Sequence, residues 1–120
     1  MPASDRHRAT RRILIVDDIE DNCLLIEDHL QRQLKCEFRK ASSGNEALQI
    51  LKNWSPDCIL MDIMMPVMDG YSTANEIRAL EEKQDLRRMP IIAVTSLTDQ
   101  EMKANSKSTA FDGHVDKPTS

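Results

Sequence analysis

Aromatic residues are scarce in this sequence, which contains two Phe, one Tyr and one Trp. Proteins that bind single-stranded nucleic acid usually stack the bases on aromatic side chains, and this chain offers few such platforms. A formal net charge of -4 also opposes binding to a phosphate backbone. We therefore expect no direct binding of nucleic acid by this domain.

Long apolar runs are also missing, since no stretch approaches the ~20 apolar residues that a membrane-spanning helix requires. The N-terminus lacks the apolar core of a signal peptide. These two absences predict a cytoplasmic protein without a membrane partner. The three cysteines, Cys23, Cys36 and Cys58, show no CxxC spacing. We interpret them as small buried hydrophobic residues kept reduced, and neither a disulfide framework nor a zinc site is supported.

A length of 120 residues, of which 30% are charged, indicates one globular domain. Residues 1–11 are basic and almost without apolar side chains, so we expect a disordered arm there. Residues 12–120 then form the domain.

Strand and helix patterns alternate along the domain. Apolar runs predict strands at 13–16, 58–61 and 91–94, and shorter segments predict strands at 37–41 and 113–116. Helical spacing is seen over 19–34, 71–86 and 98–109. A capping signal at Ser43 and Glu46 predicts the start of a further, short helix. This order predicts an α/β fold, a doubly wound five-stranded parallel sheet.

The final helix of such a fold is missing, because the chain ends two residues after Pro118. We expect one face of the sheet to be incompletely covered. Thr119 and Ser120 resemble a helix start, so we interpret the sequence as a truncated piece of a longer chain.

Polar residues follow four of the five predicted strands: Asp17 and Asp18, Asp62, Thr95, and Lys117. The carboxyl ends of parallel strands lie along one edge of a sheet, so these side chains should share one crevice. Three carboxylates repel one another and favour a hard cation such as Mg²⁺. With a lysine and a threonine hydroxyl, the set is suited to phosphoryl transfer.

In this order, these segments resemble the receiver domain of two-component response regulators. The resemblance covers about residues 12–118 and rests on Ile15-Val16-Asp17-Asp18, Met61-Asp62 with Met65-Pro66 and Asp69-Gly70, Pro90-Ile91-Ile92-Ala93-Val94-Thr95-Ser96, and Val115-Asp116-Lys117-Pro118. It implies a flavodoxin-like sheet with the strand order 2-1-3-4-5.

The resemblance also implies a role for each matching residue. Asp62 would be the phosphoacceptor, with a histidine kinase or histidine phosphotransfer protein as donor and an unknown output domain or protein as target. Mg²⁺ would be held by the carboxylates of Asp18 and Asp62, by Asp17 through a water, and by the backbone carbonyl of Met64. Thr95 and Lys117 would contact the phosphoryl oxygens. A homodimer stays open, and no independent turnover of a substrate is expected.

Three positions depart from the family pattern or bear on its kinetics. His114 stands where the family usually has an aromatic switch residue, and an imidazole there would couple the switch to pH. Met64 and Leu97 lie two residues beyond Asp62 and Thr95, at positions that often control hydrolysis of the acyl phosphate. Both are apolar and unable to orient a water, so we expect a long-lived phosphorylated state.

Two other functions are weighed against this one. A Mg²⁺-dependent phosphatase with a nucleophilic aspartate would need a second Asp two residues later, where this chain has Met64. A receiver-like interaction module that never carries phosphate would not require the complete set of acids, threonine and lysine. The pair Asp21-Asn22 slightly favours a receiver attached to a hybrid kinase.

Overall fold

The computed structural model describes residues 10–62, 70–95 and 110–116. Five strands are present in these ranges: β1 (Arg11–Val16), β2 (Cys36–Ala41), β3 (Cys58–Asp62), β4 (Ile91–Thr95) and β5 (Gly113–Asp116). Three helices connect them: α1 (Glu20–Gln31), α2 (Gly44–Leu51) and α3 (Gly70–Lys83). All neighbouring strands are parallel, in the order β2-β1-β3-β4-β5. The predicted doubly wound sheet and its strand order are confirmed.

The two faces of the sheet are covered unequally. Helices α2 and α3 pack on one face, around a large core that includes Leu14, Ile59 and Met61. Helix α1 packs on the other face through Cys23 and Ile26. Beside α1 lies an apolar groove of about 1060 Å³, lined by 14 residues that include Leu60, Ile92, Val94 and Val115. In the described part of the chain, this face is therefore incompletely covered.

The start of α2 follows the predicted capping signal. Ser43 is the N-cap, and its hydroxyl accepts a hydrogen bond from the amide of Glu46 at 3.1 Å. The Glu46 carboxylate accepts the amide of Ser42, one residue before the N-cap. The Ser43 hydroxyl thus satisfies one of the amides that the first turn of a helix leaves without partners, and Glu46 fixes the residue before the N-cap.

Two helices are shorter than predicted. Helix α1 was expected over 19–34, but its N-cap is Ile19 and its last residue is Gln31, so Ile19 and Leu34 lie outside it and are half exposed. Helix α3 was expected to reach Leu86 but ends at Lys83. Asp85 adopts a left-handed φ of 53°, and the Leu86 amide donates to the Glu81 carbonyl, which closes the helix.

The prediction of three buried cysteines was wrong for two of them. Cys23 is buried under α1, but Cys36 and Cys58 are half exposed. Cys36 begins the edge strand β2, and Cys58 lines the groove on the incompletely covered face. The same groove exposes part of Leu60, so β3 is not buried on both faces along its whole length. The predicted helix at 98–109 lies outside the described residues.

A guanidinium group joins α3 to the amino ends of β4 and β5. Arg78 donates to the carbonyls of Ala110 and Met89 at 2.7–2.9 Å, and to the carboxylates of Glu81 and Asp112. Glu81 is buried and also accepts the amide of Met89 at 2.6 Å. We call this set of contacts the Arg78 clamp. It fixes the edge of the sheet opposite the carboxyl ends of the strands.

Asp112 belongs to the same clamp. Its carboxylate accepts the amide of Ile91 at 2.9 Å and bonds to Arg88 as well as Arg78. Partial burial raises the pKa of Asp112, but the Ile91 amide and the two arginines outweigh it and hold the pKa below its usual value. The carboxylate is therefore ionised at neutral pH, as the clamp requires.

Replacing Arg78 by methionine should destabilise the protein strongly. The variant would keep most of the aliphatic volume but leave the buried Glu81 without its cation, which typically costs about 3–5 kcal/mol. Urea unfolding measures the difference. The matched control is Arg32→Met, which removes an exposed ion pair with Asp28 at 3.2 Å and should cost less than about 1 kcal/mol. Equal losses in the two variants would contradict the role of the clamp.

Candidate phosphoacceptor and cation site

Parallel pairing of β1 with β3 brings the acidic residues together. Val16 pairs with Met61, so the next residues, Asp17 and Asp62, leave the two central strands side by side. Carboxylate oxygens of Asp17, Asp18 and Asp62 all lie within 4.8 Å of one another. We call these three residues the acid cluster. Their convergence at one edge was predicted from the sequence.

The members of the acid cluster differ in exposure. Asp62 is 1% exposed and Asp17 is 3% exposed, whereas Asp18 is exposed at the rim. Buried carboxylates close together repel one another unless a cation or hydrogen-bond donors balance their charge. The cluster therefore has the burial and charge that favour a bound cation.

Asp17 is held in one orientation by local contacts. Its Oδ1 atom accepts the amide of Ile19 at 2.9 Å, an Asx turn that precedes α1. Its Oδ2 atom is buried and has no hydrogen-bond partner among the residues that the structure describes. A buried carboxylate oxygen without a hydrogen-bond donor nearby is suited to bind a hard cation or one of its water ligands. The residues present thus fit Mg²⁺.

Cys23 lies behind the acid cluster and was not predicted to contribute to the site. Its Sγ atom donates to the backbone carbonyl of Asp17 at 3.7 Å. Burial, followed by the negative charge of Asp17, raises the pKa of the thiol to about 11. The thiol is therefore protonated at neutral pH and able to donate. Both residues line a pocket of about 290 Å³ beside the cluster.

The structure describes only some of the other predicted site residues. Thr95 is the last residue of β4, directly after Val94, the register partner of Asp62. His114 is exposed on β5, pairs with Ala93 in the sheet, and is among the residues that line the groove. Met64, Leu97 and Lys117 lie outside the described residues.

Of these positions, Thr95 approaches the acid cluster through its strand. Its backbone ends β4 beside β3, and its register partner is Asp116. Lys117 follows Asp116 in the sequence. The register thus puts the backbone of Thr95 at the carboxyl edge of the sheet, and the position of Lys117 stays a prediction.

Comparison with protein families matches residues 13–120 to the response regulator receiver domain. The chain belongs to this family. It is a receiver domain of two-component phosphorelay signalling, with an acid cluster consistent with Mg²⁺ binding and aspartyl phosphorylation.

Relatives of this receiver domain occur both alone and within larger proteins. The chemotaxis protein CheY of Halobacterium salinarum is 30% identical over 108 residues, which cover 90% of this chain and 85% of CheY. The peroxide stress-activated histidine kinase mak1 of Schizosaccharomyces pombe is 32% identical over 109 residues, 88% of this chain but 7% of the kinase. The match to mak1 is therefore confined to a small part of that kinase.

A solved structure gives a similar picture of the fold. The receiver domain of the sensor histidine kinase PA1611 from Pseudomonas aeruginosa PAO1, with a magnesium ion in its active-site cleft, aligns with a TM-score of 0.77. It is 35% identical, over 93% of this receiver domain and 88% of that chain. Among the described residues of the present chain, no helix has the length and apolar character needed to cross a bilayer.

Magnesium should stabilise this receiver domain through the acid cluster. At ten times the dissociation constant, binding to the folded state alone adds about 1.4 kcal/mol, equivalent to several degrees in Tm. Asp18→Asn should abolish this gain and raise Tm in the absence of Mg²⁺, because it removes one of three repelling charges. Thermal unfolding with and without Mg²⁺ measures both effects.

The control for that experiment is Glu82→Gln, which removes an exposed carboxylate from α3, away from the cluster. It should leave the Mg²⁺-dependent rise in Tm intact. If the rise survives Asp18→Asn, or disappears in Glu82→Gln, the assignment of the cation to the acid cluster is wrong.

Proposed function

We propose that this receiver domain accepts a phosphoryl group from phosphohistidine on a histidine kinase or histidine phosphotransfer protein, with Asp62 as the acceptor. The observation that carries the proposal is the convergence of a buried Asp62 with Asp17 and Asp18 at the carboxyl edge of the sheet. The relatives include proteins named as histidine kinases and as response regulators. Both classes agree with a phosphohistidine donor.

In the proposed reaction, one carboxylate oxygen of Asp62 attacks the phosphorus in line with the departing imidazole nitrogen. An O–P bond forms, the N–P bond breaks, and the imidazole nitrogen retains the electron pair and is protonated. The product on this chain is an acyl phosphate. Burial of Asp62 excludes bulk water from the nucleophile, which favours attack by the carboxylate over hydrolysis.

The acid cluster would hold Mg²⁺ through Asp18 and Asp62, and through Asp17 by way of a water. When bound, Mg²⁺ neutralises charge that develops on the phosphoryl oxygens. Thr95, at the end of β4, would donate its hydroxyl to a phosphoryl oxygen, and Lys117 would pair with another. The Met64 carbonyl would complete the protein ligands of the cation.

Phosphorylation adds roughly -1.5 to -2 charge to this edge of the sheet. We propose that the new charge draws Thr95 inward and that His114, on the neighbouring strand, responds as the switch residue. The domain then acts on an output domain or protein as a two-state element whose equilibrium the phosphoryl group shifts. It performs no turnover of an independent substrate.

Incubation with a small phosphodonor and Mg²⁺ tests the acceptor. We expect the intact mass to increase by one phosphoryl group in the wild-type protein and to remain unchanged in Asp62→Asn. Asp28→Asn, which alters an exposed carboxylate on α1, is the matched control and should be labelled like the wild type. Labelling of Asp62→Asn, or no labelling of the folded wild type, would overturn the proposal.

The lifetime of the phosphorylated state tests the role of Met64. Because the apolar side chains of Met64 and Leu97 cannot orient an attacking water, we expect a lifetime well beyond seconds in Mg²⁺. Met64→Asn should shorten it by roughly tenfold or more, within the range that a positioned polar group contributes. Phosphate release after removal of the donor measures the rate.

Met64→Leu is the apolar control and should retain the slow rate. Loss of the phosphoryl group within seconds from the wild type would contradict the prediction. So would a Met64→Leu variant that dephosphorylates as fast as Met64→Asn.

A further inference from the structure

Three contacts fix the backbone and side chain of Asp17. Its amide donates to the carbonyl of Ala41 at 3.0 Å, which continues the pairing of β1 with β2. Its Oδ1 atom accepts the amide of Ile19, and its carbonyl accepts the thiol of Cys23. The first two contacts are common at the end of a strand and the start of a helix. The third contact comes from a side chain of α1.

The carbonyl that Cys23 contacts lies between two residues of the acid cluster. It belongs to the peptide group that joins Asp17 to Asp18, two of the three residues in the acid cluster. Because a peptide group is planar, fixing the direction of its carbonyl also fixes the direction in which the Cα of Asp18 leaves Asp17. A single hydrogen bond therefore constrains the relative placement of two carboxylates.

The position of Cys23 makes the constraint firm. Its side chain is 2% exposed and packs with Ile13, Ile15 and Ile26 between β1 and α1. The sulfur cannot exchange its bond for one with bulk water without opening this packing. The contact thus links the position of α1 to the geometry of the acid cluster.

We propose that Cys23 is a positioning residue for the cation site. By holding the peptide group between Asp17 and Asp18, the thiol keeps the buried Oδ2 of Asp17 and the carboxylate of Asp18 directed at a common point near Asp62. This inference rests on the proposed function of the acid cluster as a Mg²⁺ site. It adds a residue that touches neither the cation nor the phosphoryl group.

A packing role alone would give a different pattern of variants. Cys23→Val retains an apolar side chain that fills the space but has no donor, and Cys23→Ala has neither the volume nor the donor. Cys23→Ser retains a donor in a smaller, more polar side chain. If the hydrogen bond positions the site, Mg²⁺ affinity should depend on whether residue 23 carries a hydrogen-bond donor. The free energy of unfolding should instead depend on how well its side chain fills the space.

The experiment measures the Mg²⁺ dissociation constant of each variant of this 120-residue chain by isothermal titration calorimetry, together with its urea unfolding curve without Mg²⁺. We expect Cys23→Val and Cys23→Ala to weaken Mg²⁺ binding by roughly three- to tenfold, the range of one net hydrogen bond. Cys23→Ser should remain within about twofold of the wild type. Cys36→Ala is the control, because Cys36 lies on the edge strand β2 and should leave Mg²⁺ affinity unchanged.

Several outcomes would overturn the proposal. One is equal Mg²⁺ affinity in the wild type, Cys23→Val and Cys23→Ala. Another is an affinity in Cys23→Val that matches the wild type while Cys23→Ala loses it. A third is a Cys23→Ser variant that binds Mg²⁺ as weakly as Cys23→Ala. If the wild type itself binds no Mg²⁺, the proposed function fails as well. If the wild type binds Mg²⁺ and Cys23 makes no difference, only the inference about Cys23 fails. Should Cys23→Ala not fold, the comparison between Cys23→Val and Cys23→Ser decides the question.

Discussion

The repulsion among three carboxylates at one edge of the sheet is the constraint on which the functional interpretation depends. Parallel pairing of β1 with β3 forces Asp17 and Asp62 to leave adjacent strands at the same level, and Asp18 follows directly. Two of these side chains are buried, so water screens their charges poorly. The fold therefore creates a site at which a divalent cation can relieve the repulsion.

Acidic side chains are balanced differently at the two edges of the sheet. At the amino ends of β4 and β5, the Arg78 clamp pairs the buried Glu81 and the more exposed Asp112 with a cation from the same chain, and the backbone carbonyls nearby are also satisfied. At the carboxyl edge, Asp17 retains a buried oxygen without a hydrogen-bond partner in the described ranges. The first arrangement suits a permanent structure, and the second suits a ligand. Structural stability and responsiveness to a ligand are thus placed at opposite ends of the strands.

Much of the fold could be predicted because local signals agreed with one another. The apolar runs gave the positions of β3 and β4 closely, and the pairing of Ser43 with Glu46 marked the start of α2. The acid cluster was predictable because strand ends that carry Asp in parallel strands must meet at one edge. The Asx turn at Asp17 also has a local signal, an aspartate two residues before the amide that it binds.

The rest depended on contacts between distant parts of the chain. The exposure of Cys58 and Leu60 follows from which strands α1 covers, and apolar character alone does not reveal this. Arg78, Glu81 and Asp112 look like ordinary surface charges in the sequence, yet Arg78 binds both Glu81 on its own helix and the distant Asp112 beside β5. Helix α3 ends early because Asp85 adopts a left-handed conformation. Aspartate can adopt this conformation but does so only occasionally, so the sequence did not reveal the helix end. The bond from Cys23 depends on how α1 docks and had no local signature.

The most direct measurement of the central claim is chemical mapping of the phosphorylated residue. After exposure to a phosphohistidine-carrying protein in Mg²⁺, borohydride reduction converts an aspartyl phosphate to homoserine, which tandem mass spectrometry can locate in the sequence. The account predicts homoserine at position 62, formed only when Mg²⁺ is present. Homoserine at another aspartate, or equal labelling of position 62 when Mg²⁺ is chelated, would contradict it.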